Sequence, residues 1–134
     1  MYLLLDKPAA AEVATLLRSG DCGVPAPCVA EVRDQLIRRH PITEEEFLKR
    51  TEPLVDVGIV GLPIDIKAVR WAGEIRAAHY SRSRAALSLA DCFLLASAVD
   101  GDQIATADAA VIRVARALDI GVIPLLDSQG RRPE

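Results

Sequence analysis

Short extended runs alternate with amphipathic stretches along nearly the whole chain, and that alternation narrows the fold more than any other feature. Gly23-Val24-Pro25-Ala26 reads as extended, because Pro25 and Pro27 disfavour helix there, and Val29, Val32, Leu36 and Ile37 then mark a helix ending near Arg39. Leu54 to Pro63, rich in Val and Ile, reads as a buried strand. After it Asp65 caps a helix with Ile66, Val69, Ala72, Gly73, Ile75 and Ala78 on its apolar side, ending near Tyr80. Gln103 to Thr106 is predicted as a strand, Asp108 to Leu118 as a helix, and Val122 to Leu126 as a last strand before a polar tail, 127–134. Three further helices are expected: Pro8 to Ser19, Thr43 to about Arg50 with Pro53 closing it, and Ser88 to about Val99. Capping boxes at Thr43-Glu44-Glu45-Glu46 and Ser88-Leu89-Ala90-Asp91 head the last two. Strand feeding helix, repeated, calls for a layered α/β fold with a mostly parallel sheet and right-handed crossovers.

A chain of 134 residues is close to the modal domain size, so residues 1–134 are expected to form one domain. Hydrophobic residues make up 51 % and aromatics only 4 %, so the core is aliphatic and alanine-rich, and disorder is excluded. A formal net charge of -3 gives no global attraction to a polyanion, so any nucleic acid must be met by a local patch. Cys22, Cys28 and Cys92 are odd in number and lack C-x-x-C spacing, which indicates neither a disulfide framework nor a zinc site and fits a reducing cytosol. The start Met-Tyr-Leu-Leu-Leu is interrupted by Asp6 and Lys7, too early for a signal peptide, and no apolar stretch has the length of a membrane span. A soluble, cytoplasmic protein is expected.

Three acids, Glu31, Asp91 and Asp108, fall where a predicted strand ends and a helix begins. In an open parallel sheet these junctions share the carboxyl edge, where ligands bind. Clustered carboxylates repel one another unless a divalent cation occupies their centre, and Mg²⁺ or Mn²⁺ accepts such oxygen ligands while keeping waters. That arrangement suits metal-assisted phosphodiester hydrolysis. Each acid also has a purely structural reading: Asp91 completes a capping box, Asp108 is an N-cap, and Glu31 complements a helix dipole.

Val29-Ala30-Glu31-Val32, Leu87-Ser88-Leu89-Ala90-Asp91-Cys92 and Ala105-Thr106-Ala107-Asp108 resemble, in that order, the three internal acidic motifs of PIN-domain ribonucleases of the VapC toxin type. Leu4-Leu5-Asp6-Lys7-Pro8 followed by Ala11-Glu12-Val13 is similar to that family's first-helix segment. The resemblance runs over nearly the whole chain. It implies a PIN-like three-layer α/β/α sandwich and Mg²⁺- or Mn²⁺-dependent endoribonuclease chemistry on structured RNA, with Glu31, Asp91 and Asp108 as metal-binding and catalytic residues. It also implies the toxin role of a type II toxin-antitoxin pair, a cognate antitoxin and a homodimer. The family opens with a strand ending in an Asp, which this sequence lacks. Two readings follow: Met1 lies downstream of the true start, or Tyr2 to Leu5 form the strand and Asp6 substitutes for the acid. The missing acid also motivates a competing function, a catalytically inactive PIN-like binding module.

Arg76, His79, Arg82 and Arg84 lie just upstream of Asp91 and form the best candidate for a phosphate-binding patch. Arg82 and Arg84, with Thr106 two residues before Asp108, are the expected substrate-binding residues. Trp71 and Phe93 are expected in the core or at a dimer contact.

Overall fold

The computed structural model describes residues 8–19, 21–56, 59–83 and 85–134. Tyr2 to Leu5, Asp6 and Arg84, to which the sequence assigns roles, lie outside the described residues. The elements run α1 (Ala10–Arg18), β1 (Gly23–Pro25), α2 (Ala26–Arg39), α3 (Glu44–Asp56), β2 (Val60–Leu62) and α4 (Ile66–His79). They continue α5 (Leu89–Ser97), β3 (Gln103–Thr106), α6 (Ala109–Ala117) and β4 (Gly121–Pro124). Helices and short parallel strands make an α/β sandwich, as the alternation requires. No described helix is long and apolar enough to cross a membrane.

Among the described residues both strand pairs are parallel. β1 pairs with β2, Gly23 opposite Val60 and Pro25 opposite Leu62, while β3 pairs with β4, Gln103 opposite Gly121 and Thr106 opposite Pro124. Among the described residues no ladder joins one pair to the other, so the expected single sheet is seen as two two-stranded pieces. A Cβ on Gly23 would meet the Leu62 side chain at 2.8 Å, so the close approach of β1 to β2 explains that glycine.

Among the described residues two apolar clusters hold α2 to α6. Ala72 and Ile75 of α4, Cys92 and Leu95 of α5, Ile104 of β3 and Val111, Val114 and Ala115 of α6 form the larger. Leu36 of α2 and Phe47 of α3 form the smaller, with Val32, Ile42 and Leu54 packed against them. That smaller cluster accounts for a correction: α3 does not stop before Pro53 but carries it internally and runs to Asp56. Leu54 lies seven residues after Phe47, on the same helical face, and its packing outweighs the hydrogen bond that Pro53 cannot donate. The expected buried strand from Leu54 to Pro63 is therefore reduced to Val60–Leu62, and Val60 is 59 % exposed.

The helix starting at Ile66 also differs from expectation in what it buries. Of its six apolar positions only Ala72 and Ile75 are buried, whereas Ile66 is 65 % exposed. Trp71 is exposed, and Phe93 packs partly buried against the larger cluster. α5 ends at Ser97, where the Val99 N–H donates to Asp102 Oδ2 at 3.0 Å in the turn to β3.

Candidate metal and phosphodiester site

Glu31 sits in the second turn of α2, directly after β1, and is half-buried. Asp91 is the third residue of α5 and completes the capping box in both directions. Its backbone N–H donates to Ser88 Oγ at 3.0 Å, and its Oδ2 accepts the Ser88 backbone N–H at 2.7 Å. The Ser88 hydroxyl also donates to Glu31 Oε2 at 3.3 Å, a long bond that ties α2 to α5 across 57 residues of sequence. Asp108 follows β3 and caps α6: its Oδ1 accepts the N–H groups of Ala110 at 2.7 Å and Val111 at 3.2 Å. Thr106 Oγ1 accepts the Asp108 N–H at 3.1 Å, and Thr106 O accepts the Leu125 N–H at 2.8 Å, fixing the end of β3.

Glu31, Asp91, Thr106 and Asp108 line a single cavity of about 440 Å³ at the carboxyl ends of the parallel strands. The capping roles expected of Asp91 and Asp108 are present and leave room for a site role, whereas Glu31, in the second turn, does not meet the expected helix-dipole role, since the first turn of α2 holds no acid. Each acid uses one oxygen in the fold, while Glu31 Oε1, Asp91 Oδ1 and Asp108 Oδ2 have no hydrogen-bond partner among the described residues. The negative field of the pocket registers on Cys28, whose Sγ donates to Ala90 O at 3.4 Å. Burial, with the charges of Asp91 and Glu31 adding to it, pushes that thiol up to about 11.

Gln35, Ser88, Asp127 and Ser128 share the lining without having been singled out in the sequence as site residues. Asp127 belongs to the expected polar tail. The backbone N–H groups of Arg131 and Gln129, each at 2.8 Å, and the Arg131 side chain hold its carboxyl below the usual carboxylate range. Asp127-Ser128-Gln129-Gly130 is legible as an Asx turn, but not its place beside acids from three other elements. Arg82 does not line this cavity; it is exposed in the turn after Ser81. His79 and Arg113 line a second cavity of about 370 Å³ instead.

Carboxylate and hydroxyl oxygens are hard donors, which fit Mg²⁺ or Mn²⁺ and exclude a soft-metal cage. Among the described residues no three acid, His or Cys side chains stand close enough to make a ready-formed cage. Mg²⁺ needs none, since it is commonly held through one or two carboxylates and keeps its waters. The residues that would hold it are Glu31, Asp91 and Asp108, with its waters spanning the distances that the carboxylates leave.

An α/β sandwich with acids gathered at the carboxyl ends of parallel strands is an arrangement that suits metal-assisted phosphodiester hydrolysis. The PIN domain family matches the chain over residues 1–117, and the chain belongs to that family. No curated protein and no solved structure matches it. PIN domains are commonly nucleases and typically use divalent metals, which places this fold among the hydrolases.

Proposed function

We propose that the protein is a metal-dependent endoribonuclease of the VapC type, the toxin of a type II toxin-antitoxin pair, cleaving structured RNA in the cytoplasm. The convergence of Glu31, Asp91 and Asp108 on one cavity carries this reading. Mg²⁺ or Mn²⁺, when bound, lowers the pKa of its water and neutralises phosphoryl charge. Glu31 and Asp91, joined through Ser88, reach the pocket from α2 and α5, and Asp108 reaches it from the N-cap of α6. Thr106 Oγ1, already an acceptor for Asp108, has its proton available for a phosphate oxygen, with Arg82 and Arg84 as the outer contacts to the RNA backbone. In the reaction a water oxygen bonds to phosphorus, the bond from phosphorus to the departing ribose oxygen breaks, and that oxygen takes a proton.

A cognate antitoxin is the expected regulator, and an Arg or Lys of its tail entering the acid pocket would stand in for the cation. A homodimer is proposed through the outward face of α4.

Mn²⁺ titration calorimetry and cleavage of a structured RNA, on the wild type and Asp91→Asn, test the reading. The wild type is expected to cleave only with Mn²⁺, and Asp91→Asn to lose about 100-fold or more of the activity while keeping its fold. Undiminished cleavage by the variant overturns the role of Asp91. Neither metal binding nor cleavage by the wild type would favour a non-catalytic binding module.

A further inference from the structure

Arg76 is half-buried in the last turn of α4, and among the described residues no carboxylate pairs with it. Its guanidinium instead donates to the Leu87 carbonyl and lies 4.5 Å from the centroid of the Tyr80 ring. It also bears on the Cys92 thiol, whose pKa is raised by burial while Arg76 opposes that rise. A half-buried guanidinium surrounded by a loop carbonyl, a ring face and a thiol, with no carboxylate to pair it, calls for an explanation, because partly desolvating a cation among neutral partners is costly.

The carbonyl of Leu87 and the N–H of Ser88 belong to one peptide unit, which is planar. Arg76 grips the oxygen end of that plane, and Asp91 Oδ2 accepts from the nitrogen end at 2.7 Å. Turning the plane would swing the N–H off Asp91 and release the carboxylate. It would also shift Ser88, whose hydroxyl accepts the Asp91 N–H and donates to Glu31. One peptide therefore sets the orientation of two acids on two helices.

We propose that Arg76 is a positioning residue for the carboxylate site: by clamping the Leu87–Ser88 peptide it aims Asp91 and Glu31 into the cavity. The inference rests on the metal reading of the site and gives α4, which does not line that cavity, a part in the chemistry. It also explains why arginine stands there. The planar fork reaches the carbonyl with one nitrogen while its face stacks on Tyr80, and lysine can reproduce only the hydrogen bond.

Three quantities test this on Arg76→Met and Arg76→Lys: thermal midpoint, hydrogen exchange of the Ser88 amide, and Mn²⁺ affinity by calorimetry with the metal alone. Arg76→Met, of similar length but without a donor, is expected to lose Ser88 protection and about tenfold in Mn²⁺ affinity, in the range found for groups that orient metal ligands. Arg76→Lys is expected to restore most of both. Should Arg76→Met fail to fold, Arg76→Leu, which also lacks a donor, replaces it with the same expected losses. Wild-type Mn²⁺ affinity or unchanged Ser88 exchange in a folded Arg76→Met protein overturns the proposal, as does failure of Arg76→Lys to rescue either. If the wild type itself binds no Mn²⁺, the metal reading fails, and Ser88 exchange alone decides whether Arg76 clamps the peptide.

Discussion

Asp108 uses Oδ1 to cap α6, while its Oδ2 has no partner among the described residues, so its two roles separate by substitution. Asparagine caps as well as aspartate but carries no charge. Asp108→Asn is therefore expected to keep the thermal midpoint within a degree or two while losing Mn²⁺ affinity. Asp108→Ala should lose both, with about 1 kcal/mol of stability gone. Thermal melts beside calorimetry decide it; equal destabilisation by both would mean that the cap depends on charge. Cys28 offers a second local reading. Its neutral thiol is favoured by the fold, so its contribution to stability is fully present below the unfolded value near 9 and is lost as pH rises through about 11. At pH 8 alkylation of Cys28, followed by peptide mapping, is expected to run on the order of 100-fold slower than a free thiol. Asp91→Asn should speed it by removing one of the two repelling charges, and an unchanged rate would show that burial alone protects the sulfur.

α5 and α6 are the most legible elements, because a capping box or an N-cap Asp ahead of an apolar run marks a helix start by local chemistry alone. Ser88 and Asp108 make the caps that the sequence foretells. Asp65 belongs with them: its Oδ1 accepts the Ala68 N–H at 2.8 Å, and Asp65→Ala is expected to cost about 0.5–2 kcal/mol in a chemical denaturation series. What local chemistry does not disclose is where a distant face is covered. Pro53 misled because the packing of Leu54 on Leu36 and Phe47 is a tertiary fact, and α4 misled because its apolar residues are split between core and surface. Sequence marks the tail only as polar, yet Arg132 reaches both Glu12 of α1 and the Pro124 carbonyl, and Glu12 Oε2 accepts the Leu126 N–H at 3.1 Å. Those bonds hold the Glu12 carboxyl below its ordinary range, Arg132 first among them. Arg132→Ala is expected to speed hydrogen exchange at Leu126 while sparing the amides of α6; protection at Leu126 equal to wild type would deny the tail any anchoring role.

Across the whole molecule the larger cluster joins four of the later elements, while the exposed side of α4 is left with Ile66, Val69, Gly73, Ala77 and Tyr80 along it. Among the described residues nothing requires a glycine at Gly73, since a Cβ there would meet nothing within 4 Å, and a glycine inside a helix costs roughly 0.5–1 kcal/mol relative to alanine. The proposed dimer would supply a reason, a second helix approaching closely from outside. Beside the stripe lie Arg70 and Glu74, and neither has an ion-pair partner among the described residues. At the same spacing, Asp34–Arg38 and Glu45–Lys49 pair within their own helices. Turning a copy of α4 antiparallel about a two-fold axis level with Ala72 brings each Arg70 opposite Glu74 of the second copy and Ile66 near its Ala77, so the face is complementary to itself. Light scattering after size exclusion is expected to show a dimer for the wild type and a shift toward monomer for Arg70→Glu and for Glu74→Arg, each of which sets like charges against each other. The double variant restores opposite charges across the axis and should recover the dimer, an outcome that loss of a merely local interaction would not produce. A monomeric wild type at micromolar concentration, or single variants as dimeric as the wild type, would leave the α4 face without a partner copy.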